Sequence, residues 1–138
     1  MIIIDTNVVS ELIKDEPHSG VLAWVNDQNA SDVYITAITS AELLFGIARL
    51  PSGRRKDALT AAIADILDSF GENILPFDAG AAVAFAELSA RRMLFGRAMP
   101  VLDAQIAATA ISVGAEQFAT RNTRDFENTG VSLLNPWL

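Results

Sequence analysis

Short apolar segments alternate with longer helical patterns along the whole chain, and this alternation constrains the possible fold more than any other feature. The segments between the strands carry apolar residues at helical spacing, as at Leu43, Ile47 and Leu50. Strands that alternate with helices favour an α/β domain with a mostly parallel sheet of four to five strands and right-handed crossovers. The predicted strands are residues 1–5, 33–35, 73–77, 117–120 and 131–134. The last long helix is predicted to bury an in-phase stripe formed by Leu102, Ile106, Thr109 and Val113.

The composition favours a single globular domain. Of the 138 residues, 51% are hydrophobic and 20% are charged, so we predict one domain over residues 1–138. The absence of Cys and the single His exclude a disulfide framework, a thiolate zinc site and a polyhistidine metal site. No apolar run reaches the roughly 18 residues of a membrane helix, and the start lacks the basic segment of a signal peptide. We therefore expect no membrane partner and a cytoplasmic location.

The net charge leaves two explanations open. A value of −7 argues against a nucleic-acid partner, because phosphate binding normally needs a basic surface. A cluster of carboxylates that holds a cation would also make the net charge negative. The positions of the acids along the chain are therefore informative.

Three acids fall where a predicted strand or helix begins or ends, which is where open α/β sheets form their sites. Asp5 follows three Ile residues, and it is either a site residue or the N-cap of the next helix. Glu42 completes the capping-box pattern Thr39-Ser40-Ala41-Glu42, so it either caps a helix or points into the site. Asp103 lies in the first turn of the helix after Pro100, where the helix dipole alone favours a carboxylate.

A fourth polar cluster follows the strand 117–120. It contains Asn122 and Asp125, which both offer oxygen ligands, although polar residues after a strand are usually only a loop. Four such positions can converge in three dimensions. Oxygen donors suit Mg²⁺ or Mn²⁺, and the near absence of His and Cys argues against zinc.

The motifs around these residues resemble those of PIN-domain ribonucleases, and among them the VapC/FitB-like toxins of type II toxin–antitoxin systems. In chain order they are Ile2-Ile3-Ile4-Asp5-Thr6-Asn7, Ile38-Thr39-Ser40-Ala41-Glu42-Leu43, Leu102-Asp103-Ala104-Gln105-Ile106-Ala107-Ala108-Thr109-Ala110 and Ala119-Thr120-Arg121-Asn122-Thr123-Arg124-Asp125-Phe126. The ending Leu134-Asn135-Pro136-Trp137 is also similar. One motif alone is weak, but four in order across nearly the whole chain are specific. The resemblance implies a PIN-like three-layer α/β/α domain.

The resemblance also implies a metal-dependent ribonuclease site. The acids of the family's metal site match Asp5, Glu42 and Asp103. Asn122 stands where the family often has a fourth acid, so Asp125 is predicted to supply the missing carboxylate, directly or through a water. These four acids are the predicted catalytic residues and ligands of Mg²⁺, with Mn²⁺ as the other candidate. The residues predicted to orient the ligands or the substrate are Thr6, Asn7, Thr120, Arg121, Asn122 and Arg124.

The resemblance further implies an RNA substrate and a VapB-type antitoxin partner. The C-terminal segment of the antitoxin is expected to enter the groove and block the site. A homodimer, or a heteromer with the antitoxin, is also expected. Three groups of basic residues are either solvated helix faces or a groove for the RNA backbone. They are Arg54-Arg55-Lys56, Arg91-Arg92 with Arg97, and Arg121 with Arg124.

Other function classes fit the sequence less well. A receiver-like phosphoryl-transfer domain with Asp5 as nucleophile usually has a second acid beside the first, but Thr6-Asn7-Val8 follows here. A P-loop or dinucleotide-binding site lacks its glycine pattern. A PIN scaffold that binds RNA or a protein without cleaving stays open because of Asn122.

Overall fold

The computed structural model describes residues 1–138, which form five strands and six α-helices, with two helices after each of the first three strands. The strands are β1 (Ile2–Ile4), β2 (Val33–Thr36), β3 (Ile74–Leu75), β4 (Gln117–Ala119) and β5 (Leu133–Leu134). The helices are α1 (Thr6–Leu12), α2 (Ser19–Asp27), α3 (Ala37–Ala48), α4 (Arg54–Phe70), α5 (Ala79–Leu94) and α6 (Val101–Ser112). Short 3₁₀ turns cover Ala30–Asp32, Gly71–Asn73 and Thr123–Phe126.

The five strands form one sheet in the order β3-β2-β1-β4-β5, and every neighbouring pair is parallel. The prediction of a mostly parallel sheet of four to five strands is confirmed. Strand β1 is central, since Ile3 pairs with Tyr34 on one side and with Phe118 on the other. The carboxyl ends of β1, β2 and β4 therefore lie next to one another at one edge of the sheet.

Successive residues of β1 point to opposite faces of the sheet, and each face has its own core. Ile4 packs with Val9 of α1, Leu43 of α3 and Ile63 of α4. Ile3 packs in a second core with residues of α5, α6 and the 3₁₀ turn, namely Leu88, Ile106 and Phe126. Helices thus cover both faces, which gives the predicted three layers.

The predicted buried stripe of α6 is partly wrong. Ile106 and Thr109 are buried, but Leu102 is 46% exposed and Val113 is 38% exposed. Most of the other buried residues of α6 are small, namely Ala104, Ala107, Ala108 and Ala110. Alanines let α6 lie close to both the sheet and α5, so the helix is buried on most of its circumference and no single leucine stripe defines its inner face.

No helix of the protein combines the length and the apolar character that crossing a membrane requires.

Candidate active site

The carboxyl edge of the sheet opens into a cavity of about 420 Å³, which we call the acid cavity. Asp5 enters it from the end of β1, Glu42 from α3 and Asp103 from the first turn of α6. The three predicted acids, which are far apart in the sequence, are therefore brought to one place. The residues that line it are Asp5, Thr6, Asn7, Ser10, Glu11, Lys14, Glu42, Asp103, Arg121, Asn122 and Trp137.

Asp5 is held rigidly by three donors. One carboxylate oxygen accepts from the Thr6 backbone N–H at 2.8 Å, so Asp5 also caps α1, and the two roles weighed from the sequence coexist. The other oxygen accepts from Thr120 Oγ1 at 2.8 Å and from Asn7 Nδ2 at 3.3 Å. Burial outweighs these donors and, with the charges of Asp103 and Glu42, raises the pKa of Asp5 to about 6.

Of the two roles that the sequence left open for Glu42, the capping role is not observed. Helix α3 begins at Ala37, and its N-cap is Thr36, whose side chain accepts from the backbone N–H of Thr39. Thr39 therefore lies inside the first turn and cannot pair with Glu42 as a cap. Glu42 instead accepts a 2.8 Å hydrogen bond from Thr6 Oγ1, which lies 3.0 Å from Thr39 Oγ1. This contact orients the Glu42 carboxylate towards Asp5.

Asp103 is half-buried in the cavity lining. Burial raises its pKa first, and the negative charges of Glu42 and Asp125 raise it further. No Lys or Arg forms an ion pair with Asp5, Glu42 or Asp103, since the two ion pairs of the structure join Met1 to Glu116 and Lys14 to Glu11. The cavity thus holds three carboxylates that repel one another, in addition to Glu11, which is paired with Lys14.

Thr120 and Asn7 connect the ends of β4 and α1 around Asp5. Thr120 is fully buried, and its hydroxyl oxygen accepts from the Asn122 backbone N–H at 3.1 Å and from Asn7 Nδ2 at 3.3 Å. The Asn7 side-chain oxygen accepts from the Arg121 backbone N–H at 3.3 Å. These bonds fix the loop after β4 against α1, and so place Arg121 and Asn122 on the cavity wall.

One side of the cavity was missed by the sequence analysis. This side is lined by Ser10 and Glu11, one helical turn after Thr6 and Asn7 in α1. Lys14, just after the end of α1, lines it as well. The sequence contains a signal for this side, because Thr6, Ser10 and Lys14 are spaced four residues apart and so share one face of a helix.

The C-terminal Trp137 closes the same side. Its indole N–H donates to Glu11 at 3.3 Å, and Lys14 also donates to Glu11 at 3.2 Å. Burial opposes ionisation of Glu11, but the hydrogen bonds from Lys14 and Trp137 and the charge of Lys14 outweigh it and hold its pKa below the usual value. The Arg121 guanidinium lies over the Trp137 ring, 5.3 Å from its centre.

The predicted fourth acid lies outside this cavity. Asp125 lines a neighbouring cleft with Arg92 and Arg97, although its charge still acts on Asp103. Asn122 lines the acid cavity itself. Arg124, in the 3₁₀ turn beside Asp125, is exposed and does not line the acid cavity. The roles assigned to these three residues stay predictions.

The donor set fits a hydrated divalent cation. No three Asp, Glu or His side chains lie close enough to bind one ion as a group. Mg²⁺, however, keeps several waters and is usually bound through one or two carboxylates. A bound cation would stabilise the ionised forms of Asp5 and Asp103, whose pKa values are raised, because it removes the repulsion that opposes their ionisation.

Fold and site together define the class of protein. The PIN-domain family model matches residues 2–131, and the chain belongs to this family, as its motifs predicted. Its full-length relatives include toxins. The chain is 41% identical over 138 residues to a VapC ribonuclease of Sinorhizobium fredii, covering 99% of this chain and 98% of that protein. It is 38% identical to toxin FitB of Neisseria gonorrhoeae, covering 99% of both. The crystal structure of FitAcB from Neisseria gonorrhoeae matches with a TM-score of 0.91 at 38% identity, covering 99% of both chains.

Proposed function

We propose that this chain is a Mg²⁺-dependent endoribonuclease toxin, a single PIN domain that hydrolyses RNA phosphodiester bonds in the cytoplasm. The observation that carries the proposal is the acid cavity, where three carboxylates face one another without a basic partner. The ribonuclease and toxin names of the full-length relatives support the same activity. Mn²⁺ would serve in place of Mg²⁺, because both prefer oxygen ligands.

Asp5 and Asp103 would hold the cation, with Glu42 as the base or as a ligand through a bound water. When bound, a divalent cation neutralises charge on the phosphate and lowers the pKa of water. Glu42 is fixed by Thr6 and is placed to accept a proton as a water attacks phosphorus. The bond from phosphorus to the leaving sugar oxygen then breaks, and that oxygen takes up a proton from solvent. Thr120 and Asn7 keep Asp5 in position throughout.

Arg121 would bind the phosphate next to the one attacked. Its backbone is fixed by Asn7 and its guanidinium rests on Trp137. A guanidinium held in this way retains its donors for a phosphate and loses little freedom on binding. Arg124 is exposed beside the site and would contact the RNA backbone less directly.

The test compares RNA cleavage by the purified chain with Mg²⁺, with EDTA and with the Asp5→Asn variant. Asp65→Asn is the matched control, because Asp65 is an exposed acid on α4 outside the acid cavity. We expect a structured RNA pool to be cut only with Mg²⁺, and Asp5→Asn to lower the rate about a thousandfold or more, which corresponds to about 4 kcal/mol. Cleavage that survives EDTA, or that survives Asp5→Asn, would refute the mechanism.

A VapB-type antitoxin is the proposed protein partner. Supporting this, a full-length structural match is a complex of FitAB on DNA. In this chain, a groove beside Glu42 is lined by Phe45, Gly46 and Leu102, and Phe45 is 66% exposed. Exposed apolar residues of this size mark interaction surfaces. Leu43 and Ile47, the buried apolar residues of α3, belong to the core and are not available to a partner.

Co-purification with the product of an adjacent small reading frame tests the partner. We expect the complex to be inactive and Phe45→Asp to weaken it, while the toxin alone stays active. The same surface, or another exposed apolar face, would carry the proposed homodimer. Sedimentation of the antitoxin-free chain tests that assembly, with a monomer at micromolar concentration as the contradicting result.

The second candidate is a PIN scaffold that binds RNA or a partner without cleaving it. Asn122 favours this candidate, because an amide stands on the cavity wall where the family often has an acid. It predicts RNA binding by well-folded, Mg²⁺-loaded protein with no cleavage.

A further inference from the structure

Three arginines of the chain converge on a second cavity that the proposed mechanism does not use. This arginine cleft has a volume of about 330 Å³ and is lined by Arg91, Arg92, Phe95, Arg97 and Asn128. It is formed by the end of α5, the chain that follows it, and Asn128 after the last 3₁₀ turn. In a chain with 17 acids and 10 basic residues, grouping three arginines in one cleft calls for an explanation.

None of these arginines is neutralised. The two ion pairs of the structure involve the N-terminal amine and Lys14, and no arginine. Arg92 is only 5% exposed, and its Nε has no hydrogen-bond partner. Its Nη2 donates to the Asp125 backbone oxygen at 2.8 Å, which holds the side chain in place without cancelling its charge. A buried, unpaired guanidinium is unfavourable unless an anion binds beside it.

The arginine cleft adjoins a further cleft that borders the start of α6. Arg92 and Arg97 also line the adjoining cleft that contains Asp125 and Pro100. Pro100 is the N-cap of α6, and Asp103 lies in the first turn of the same helix. A chain bound along the arginines would therefore reach the carboxylates after a short distance.

The exposed side chain of Phe95 indicates which class of anionic ligand fits the cleft best. Its ring is 76% exposed beside the three arginines. Guanidinium groups match phosphate oxygens, and an exposed aromatic ring stacks on a nucleic-acid base. An acidic peptide would use the arginines but has no base for the ring. We propose that the arginine cleft is a binding site for an unpaired RNA strand, with Arg91, Arg92 and Arg97 on phosphates and Phe95 on a base.

The proposal rests on the proposed function, since it places the substrate strand leading to the acid cavity. Binding is therefore measured separately from cleavage. Fluorescence anisotropy of a labelled single-stranded RNA, with the full chain carrying Asp5→Asn so that no RNA is consumed, gives affinity at several salt concentrations. Arg91→Gln with Arg97→Gln removes two exposed contacts, and Arg54→Gln with Arg55→Gln is the control with the same charge change outside the cleft.

Each lost phosphate contact reduces the slope of log affinity against log salt by about 0.7, so the double variant loses about 1.4. Its affinity at about 0.1 M salt falls roughly 25-fold, and the control pair changes it less than about threefold. Phe95→Leu weakens RNA binding roughly fivefold or more, because base stacking is lost. Arg92→Gln risks misfolding, so the result is judged on the exposed pair and on Phe95.

Equal losses for the cleft pair and the control pair would overturn the proposal, as would cleft-dependent binding of a polyglutamate peptide with no cleft-dependent RNA binding. The proposed function fails independently. If RNA binds through the cleft but is never cut by the wild-type chain, the cleft proposal is supported and the nuclease proposal is refuted. If the variant with Arg91→Gln and Arg97→Gln cuts RNA with an unchanged KM, the nuclease proposal is supported and the cleft proposal is refuted.

Discussion

The acid cavity and the arginine cleft have opposite charge, and neither the three carboxylates Asp5, Glu42 and Asp103 nor the arginines of the cleft form an ion pair. The carboxylates of the acid cavity come from β1, α3 and α6 and are held by Thr6, Thr120 and Asn7. The arginines come mostly from one stretch at the end of α5, and Arg92 alone is buried. The hydrogen bonds to Asp5 and Glu42 fix these carboxylates in place, as the proposed cation site requires. The arginine cleft is an adaptable surface that tolerates different strands.

The difference predicts unequal sensitivity to pH. Without a divalent ion, ionised Asp5 destabilises the folded chain. Its pKa is about 6 in the fold against 3.8 for the unfolded chain, so the folded state keeps a proton that the unfolded state has lost. The free energy of unfolding therefore falls as the pH rises through this window, by up to about 3 kcal/mol from this group.

Urea unfolding in EDTA isolates this effect as the difference between the wild type and Asp5→Asn. We expect the variant to gain stability relative to the wild type between about pH 4 and about pH 7. Arg97→Gln, in the other site, is expected to show no such pH-dependent gain. If the free energies of unfolding of Asp5→Asn and the wild type differ by the same amount at every pH, the predicted difference in pH sensitivity between the acid cavity and the arginine cleft is wrong.

Rigid support of Asp5 gives the next largest effect. Thr120→Val removes the hydroxyl that donates to Asp5 and accepts from the Asn122 backbone N–H. We expect Mg²⁺ affinity and cleavage rate to fall about 10- to 100-fold, as for other groups that orient ligands. The control is Thr109→Val, because that buried hydroxyl bonds only within α6. Calorimetry measures the Mg²⁺ affinity, and a cleavage assay measures the rate. Equal losses in Thr120→Val and Thr109→Val would show that the effect comes from lower stability and not from the orientation of Asp5.

The fourth ligand position is tested by adding and removing one charge. Asn122→Asp puts a further carboxylate in the acid cavity and is expected to raise Mg²⁺ affinity about tenfold, while lowering metal-free stability. Asp125→Asn acts from the neighbouring cleft and is expected to lower the affinity less than about threefold. A tenfold loss for Asp125→Asn, measured by isothermal titration, would make Asp125 the ligand that the sequence predicted.

The smallest effect is expected at the C-terminus. Trp137→Leu removes the ring under Arg121 and the indole donor to Glu11. An exposed cation–π contact is worth about 0.5–1 kcal/mol, so KM for RNA should rise about two- to fivefold with kcat nearly unchanged. Trp24→Leu serves as the control in the same steady-state assay, since Trp24 packs against the core. A fall in kcat alone would assign Trp137 a different role.

The sequence predicted the fold from alternation, and the acids from their places where strands or helices begin or end. Three of the four predicted acids meet in one cavity because β1, β2 and β4 are neighbours in a parallel sheet. Strand order was not predicted, because pairing depends on where each crossover returns, and periodicity does not encode that.

Local patterns failed where a tertiary contact was stronger. The capping box at Thr39, one of the two roles considered for Glu42, does not form because β2 ends at Thr36, which itself caps α3. Glu42 was then free to accept from Thr6, which is 36 residues away in the sequence. The contact between Trp137 and Glu11 is equally non-local. Such pairs are set by the packed fold, and one sequence contains no signal for them.

The most direct test of the account is the thermal stability of the wild type and Asp5→Asn as Mg²⁺ is added at neutral pH. The account predicts that Asp5→Asn is more stable than the wild type in EDTA. It also predicts that Mg²⁺ raises the Tm of the wild type, with little effect on the variant, because the cation removes the repulsion in the acid cavity. A less stable Asp5→Asn in EDTA, together with equal Mg²⁺ shifts for both proteins, would contradict the central claim that these carboxylates form a cation site.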